Sequence, residues 1–126
     1  MNTTNYRDTL ITVSPDSPVS VGTVPEKPHS VAGAQYALLL DKPYAMTSDD
    51  LLHAAHVARG GDKSRVEFFA KPQACLRASP LVKQFGWGLH QDGEARVALV
   101  AVESVDYARL VADTAVVKKP GMRRSR

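Results

Sequence analysis

Apolar and polar positions change period several times along the chain, and each change predicts an element. Thr9, Ile11 and Val13 alternate with Leu10, Thr12 and Ser14, a period of two in β-branched residues that predicts a strand near residues 8–14. Pro15 ends it. Between Pro15 and Pro28 four prolines and Gly22 break every pattern, which predicts an extended connection over residues 15–29. Ser30 is placed to cap a helix through Leu40, with Val31, Ala34 and Leu38 on one side. Gly33 weakens that helix and leaves a buried strand as the alternative. After Pro43, residues Thr47, Ser48, Asp49 and Asp50 supply a cap and first-turn carboxylates for a helix running to Arg59, before Gly60 and Gly61.

Lys63 to Lys71 reads as a short helix with Val66, Phe69 and Ala70 inward, stopped by Pro72. Ala74 to Ser79 alternates and predicts a strand near 74–78, with Cys75, Arg77 and Ser79 on one face. Ser79 and Pro80 open another short helix with Leu81, Val82 and Phe85 on its apolar side, ended by Gly86. Trp87 to Gln91 and Glu94 to Val102 flank Asp92 and Gly93, a pair suited to a two-residue type I′ turn, so a hairpin is expected near 87–102. Val97 to Val102 is apolar on both faces, as in a central strand. Ser104 caps a last helix burying Tyr107, Leu110 and Val111. The sum is a single compact α+β domain over residues 1–117: a small antiparallel sheet packed with about four short helices.

Composition supports one core: 126 residues, 44% hydrophobic and 23% charged, fit one globular domain. The net charge of +3 is unevenly placed. Lys118, Lys119, Arg123, Arg124 and Arg126 follow the last acid, leaving 11 basic groups against 13 acidic upstream. The body is mildly acidic, and residues 118–126 are expected to form a flexible basic tail, to which any nucleic-acid contact is confined. A lone cysteine, Cys75, forms no internal disulfide and suits a reducing cytoplasm. Met1 to Asp8 lacks the pattern of a secretory signal, and Tyr36–Leu40 and Val97–Val102 are too short to cross a bilayer, so no membrane partner is expected.

Three constellations carry chemistry. Arg77 and Ser79, beside the helix start at Pro80, could hold an anion together with Lys83 and His90, so an anionic small molecule or an acidic partner group is the expected ligand. The plainer alternative pairs Arg77 with a carboxylate and leaves Ser79 as a cap. Cys75 and His90 could form a nucleophile and base, which makes them the catalytic candidates; against this, Cys75 sits between Ala74 and Leu76, where a small thiol packs well. Asp49, His53 and His56 share one helix face at metal-ligand spacing. The zincin glutamate is missing between the histidines, and a solvated polar face accounts for the trio better, so no metal is expected. Gly86 and Gly88 around Trp87 match neither phosphate-loop nor dinucleotide spacing, so no cofactor is expected.

Five stretches are also familiar together: Asn5, Tyr6, Asp8 and Thr9; Pro43 and Tyr44 with Thr47, Ser48, Asp49 and Asp50; Cys75, Arg77, Ser79 and Pro80; Trp87, Gly88 and His90; and Lys118, Lys119, Met122 and Arg123. In these the chain resembles a family of small uncharacterised bacterial proteins, along nearly its whole length. The resemblance implies a freestanding one-domain protein and assigns no activity, substrate or functional residue.

Overall fold

A computed structural model describes residues 3–124; Met1, Asn2, Ser125 and Arg126, the last two part of the expected tail, lie outside the described residues. The elements run β1 (Thr9–Thr12), α1 (Val31–Asp41), α2 (Ser48–Ala58), α3 (Arg65–Phe69), α4 (Pro80–Gln84), β2 (Trp87–Gln91), β3 (Val97–Ala101), α5 (Val105–Ala112) and β4 (Val117–Pro120). They form one α+β domain around a four-stranded sheet of order β3-β2-β1-β4. β1 pairs antiparallel with β2, Ile11 opposite Leu89, and β2 pairs antiparallel with β3. β4 lies parallel to β1, with Ile11 opposite Lys119.

The sheet is therefore mixed, where a small antiparallel one was expected. A parallel neighbour needs a long crossover, and this one comes from a segment whose lysines disguise it as solvated tail. The expected loose tail thus begins as an edge strand. Gly121 N extends the ladder by donating to Thr12 O at 2.8 Å, and Met122 N then leaves it for Arg77 O at 2.8 Å.

Two apolar clusters sandwich the sheet. The larger joins Ile11, Leu39, Leu51, Leu81, Leu89 and Val97 under α1, α2 and α4. The smaller joins Leu10 and Val100 to Leu110 of α5. β3 is an edge strand rather than a central one; it is apolar on both sides because each face of the sheet is covered. Its open edge is partly closed by the preceding segment, Tyr44 N donating to Val97 O at 3.0 Å and Val97 N to Met46 O at 2.8 Å.

Local chemistry explains the helices. Thr47 with Asp50, and Ser64 with Glu67, form capping boxes at α2 and α3, and Ser30 caps α1. The five residues of α3 are too few to bury a stripe: Phe69 is buried, whereas Val66 and Ala70, expected inward, are exposed. Val31 and Val111 are exposed as well. The segment near 74–78 is not a strand. Leu76–Ala78 forms a 3-10 turn, because Leu76 is the only fully buried apolar anchor there and Ala74 is exposed. The hairpin closes through three residues instead of two. Asp92 N donates to Arg96 O and Ala95 N to Asp92 O, both at 3.0 Å, and the positive φ of 65° falls on Ala95. Asp92 dictates this, since its carboxylate accepts from the N–H groups of Glu94 and Arg96, each at 2.9 Å.

The proline-rich connection wraps over α1 and α4. Trp87 Nε1 donates to Thr23 O at 2.9 Å and Thr23 N to Phe85 O at 2.8 Å. Among the described residues, no helix is long and apolar enough to cross a membrane.

Candidate functional site around Cys75

A cavity of about 260 Å³ opens between α1, α2, α3 and the segment Gln73–Pro80. Val31, Leu52 and Phe68 supply apolar wall. Its deep part is polar. Ser79 Oγ donates to Gln35 Oε1 at 2.6 Å and accepts from Leu81 N at 3.2 Å, which occupies the hydroxyl in both roles. Gln35 is only 2% exposed, and among the described residues nothing accepts from its amide nitrogen. The shallower part carries His56, Arg59 and Cys75. Arg59 Nε donates to His29 O at 3.0 Å, and no described carboxylate pairs with its guanidinium. His56 Nε2 accepts from Lys63 N at 3.2 Å while His53 Nε2 donates to Lys63 O at 2.9 Å, so two imidazoles clamp the turn between α2 and α3.

Cys75 also has a second neighbourhood. The Tyr6 hydroxyl donates to its Sγ at 3.4 Å. That hydrogen bond, then burial, holds the phenol above its usual value, with Arg77 pulling the other way. Lys119 Nζ lies 5.1 Å from the centre of the Tyr6 ring, and Arg77 Nε donates to Pro120 O at 2.8 Å. β4 thus brings a lysine, and anchors an arginine, beside the Tyr6–Cys75 pair. Among the described residues neither cation is paired with a carboxylate.

The expected ligand set is divided by this arrangement. Ser79 lies in the cavity, Arg77 stands nearby, and Lys83 is half-buried on α4. His90 is elsewhere. Leu89 packs in the larger cluster, so Gly88 and His90 face α5, where a Cβ on Gly88 would meet Tyr107 at 2.7 Å. His90 Nδ1 bonds the Tyr44 hydroxyl at 2.8 Å, and burial holds its imidazole below the usual value against the pull of Asp92. The sheet separates His90 from Cys75, and the proposed nucleophile and base do not meet. The start of α4 offers no free donors either: Pro80 has no N–H, Leu81 N is capped, and Val82 and Lys83 N both donate to Ser79 O at 3.2 Å.

The Asp49, His53 and His56 trio shares a helix but not a centre. Asp49 is 2% exposed and accepts from Thr3 and Thr4, whereas both histidines engage Lys63. No cluster of three or more His, Cys, Asp or Glu among the described residues is arranged to hold a metal ion. In the basic segment, Lys118 Nζ donates to the carbonyls of Asp113 and Val116. Sequence reasoning passed over Gln35, Arg59, Tyr6 and Lys119. Gln35 alone carried a readable signal, as the one amide in the otherwise apolar run from Val31 to Leu40.

The architecture and the cavity define a small α+β domain with a half-polar cleft. The chain belongs to DUF6157, a family of unknown function that matches it over residues 1–126. No curated protein and no solved structure matches it.

Proposed function

We propose that the protein binds a small anionic molecule in the cavity beside Cys75, with Arg59 meeting its charge and Gln35 donating from the floor. The observation that carries this reading is the unused amide nitrogen of Gln35 in a side chain 2% exposed. The nitrogen opens on the cavity with its donor capacity unused, and a ligand acceptor there completes it. At about 260 Å³ the space suits a metabolite smaller than a nucleotide. A carboxylate matches the unpaired Arg59 fork, and Arg77 and Lys119 on the far side of Cys75 add positive potential. This reading keeps the anionic ligand expected from the sequence and moves it from the Arg77, Ser79, Lys83 and His90 set to the cavity that Ser79 helps to build.

Thermal denaturation against a panel of small mono- and dicarboxylates and inorganic phosphate tests it. At least one anion should raise Tm in the wild type, and Arg59→Ala and Gln35→Leu should each lose the shift. No shift with any anion, or an equal shift in Arg59→Ala, overturns the reading.

A further inference from the structure

β3 keeps part of its edge open beside a second cavity, independent of the one at Cys75. Val97 turns its N–H and C=O away from β2, to Met46 and Tyr44. An antiparallel ladder alternates, so Leu99 and Ala101 point the same way, while Val102 N turns back to Gly86 O. Ala101 O is filled by Ser104, whose N and Oγ donate to it at 3.0 and 2.7 Å. The N–H and C=O of Leu99 and the N–H of Ala101 have no partner among the described residues. A space of about 340 Å³ lies along them, walled by Pro43, Tyr44, Arg109 and Leu110. We propose that this stretch of edge docks a short extended peptide of a partner protein, one that carries an acidic side chain.

The chain itself shows what the edge accepts. Thr47 bridges antiparallel to Arg96, and Tyr44 and Met46 bond Val97, so an extended segment already covers the first part of β3. Pro43 and Tyr44 then form a turn, Tyr44 at φ 57°, and this cover stops where the free groups begin. The Tyr44 hydroxyl bonds His90 Nδ1 at 2.8 Å, which fixes that end of the wall. A short added strand satisfies the free groups, its main chain supplying affinity and its alternate side chains selectivity. Charge selects the peptide. Arg109 pairs with Asp106 at 3.2 Å, but the two side chains are 66% and 72% exposed, and such a pair contributes little. A peptide carboxylate that displaces Asp106 gains a two-pronged bond from the Arg109 fork, which a lysine on Asp106 would lack. A second copy of the chain fits neither register. Pairing about Leu99 sets the copy's Ala101 against Val97, whose groups are taken, and pairing Leu99 with the copy's Ala101 calls on the carbonyl that Ser104 fills.

Selection of a random heptapeptide library on the full chain tests the proposal. Enriched peptides should carry Asp or Glu and should shift the backbone amide signals of Leu99 and Ala101 in NMR spectra. Ala101→Pro removes one outward N–H and leaves the ladder to β2 whole, and Arg109→Gln removes the fork. Each should weaken binding of the enriched peptides about fivefold, the loss expected of one hydrogen bond. Circular dichroism identifies any variant that fails to fold, and the same peptides N-methylated at alternate amides, which should not bind the wild type, then decide. No enrichment, shifts confined to other elements, wild-type affinity in either folded variant, or equal binding of the N-methylated peptides overturns the proposal. So does a dimer in sedimentation equilibrium that Ala101→Pro dissociates, because a second copy then covers the edge.

Discussion

Asp49 Oδ1 accepts from both the backbone N–H and the hydroxyl of Thr4, at 2.8 and 2.7 Å. Thr3 Oγ1 donates to Oδ2 at 2.8 Å, and Asn5 Oδ1 accepts from Asp49 N at 3.0 Å. The segment before β1 is thereby tied to the first turn of α2, and the next residue, Tyr6, is delivered to Cys75. Asp49→Ala strands several buried donors and should lower unfolding free energy by about 3 kcal/mol in urea titration. It should also change the rate of Cys75 labelling, because Tyr6 loses its anchor. Unchanged stability would show that the tether contributes nothing.

Gln91 lies 0% exposed on β2, and neither its amide nitrogen nor its amide oxygen has a partner among the described residues. Replacing such a side chain with an apolar one of similar volume removes a desolvation cost of about 1–3 kcal/mol. Gln91→Leu should therefore raise the urea midpoint without changing the slope. A loss of stability would mean that the amide is satisfied in solution.

Gly33 inverts the usual rule for helices. Exchanging Gly for Ala inside a helix ordinarily gains up to about 1 kcal/mol. Here a Cβ would lie 2.1 Å from Lys27 O and 2.9 Å from Pro28 Cα, where the proline-rich connection crosses α1. Gly33→Ala should destabilise by at least about 2 kcal/mol, since the contact is with backbone on one side and helix on the other. Thermal melting checks it, and a Tm equal to or above wild type would refute the close approach.

Acid should weaken the fold in two stages. Burial, with the charge of Arg109, lowers the His90 imidazole against the opposing pull of Asp92 and Asp8, so the folded state favours the neutral ring. Its contribution is complete above the unfolded imidazole value of about 6.5 and is lost as pH falls through the lower folded value. Asp50 is raised by burial, but the hydrogen bonds from Thr47 and Arg65 outweigh this and leave it below the usual carboxylate value. Glu67 is lowered by its bonds from Ser64. These two contributions are present above the unfolded value of about 4 and disappear as pH falls through the folded values. Urea titrations across the acid range should show both limbs. His90→Gln should flatten the first and Asp50→Asn the second; a variant that leaves its limb intact removes that residue from the account.

Local punctuation made much of the fold legible. Thr47 followed by Asp50 marks the start of α2, Ser79 before Pro80 marks α4, and Ser104 marks α5, because each cap acts on its own first turn. Failures came where distant partners decide. Lys118 and Lys119 read as solvated charge until β1 supplies the ladder that orders them, and Ala74 to Ser79 alternates like a strand although no sheet edge accepts it. The candidate site was half visible for the same reason. Cys75 and Ser79 stand four residues apart, but Gln35, Arg59, Tyr6 and Lys119 reach them only through tertiary packing.

The parallel ladder between β1 and β4 has a consequence for the order of assembly. Thr9–Thr12, inner in the sheet, finds its two neighbours only at Thr9 with Gln91 and Thr9 with Val117 or later positions of the same ladders. A ribosome releases those partners several seconds after β1 at about 5–20 residues per second. Until then Ile11 has α1 and α2 to lean on but no strand to pair with. Sheet closure thus waits on strands far along the chain from β1, and contacts of such long sequence separation slow folding.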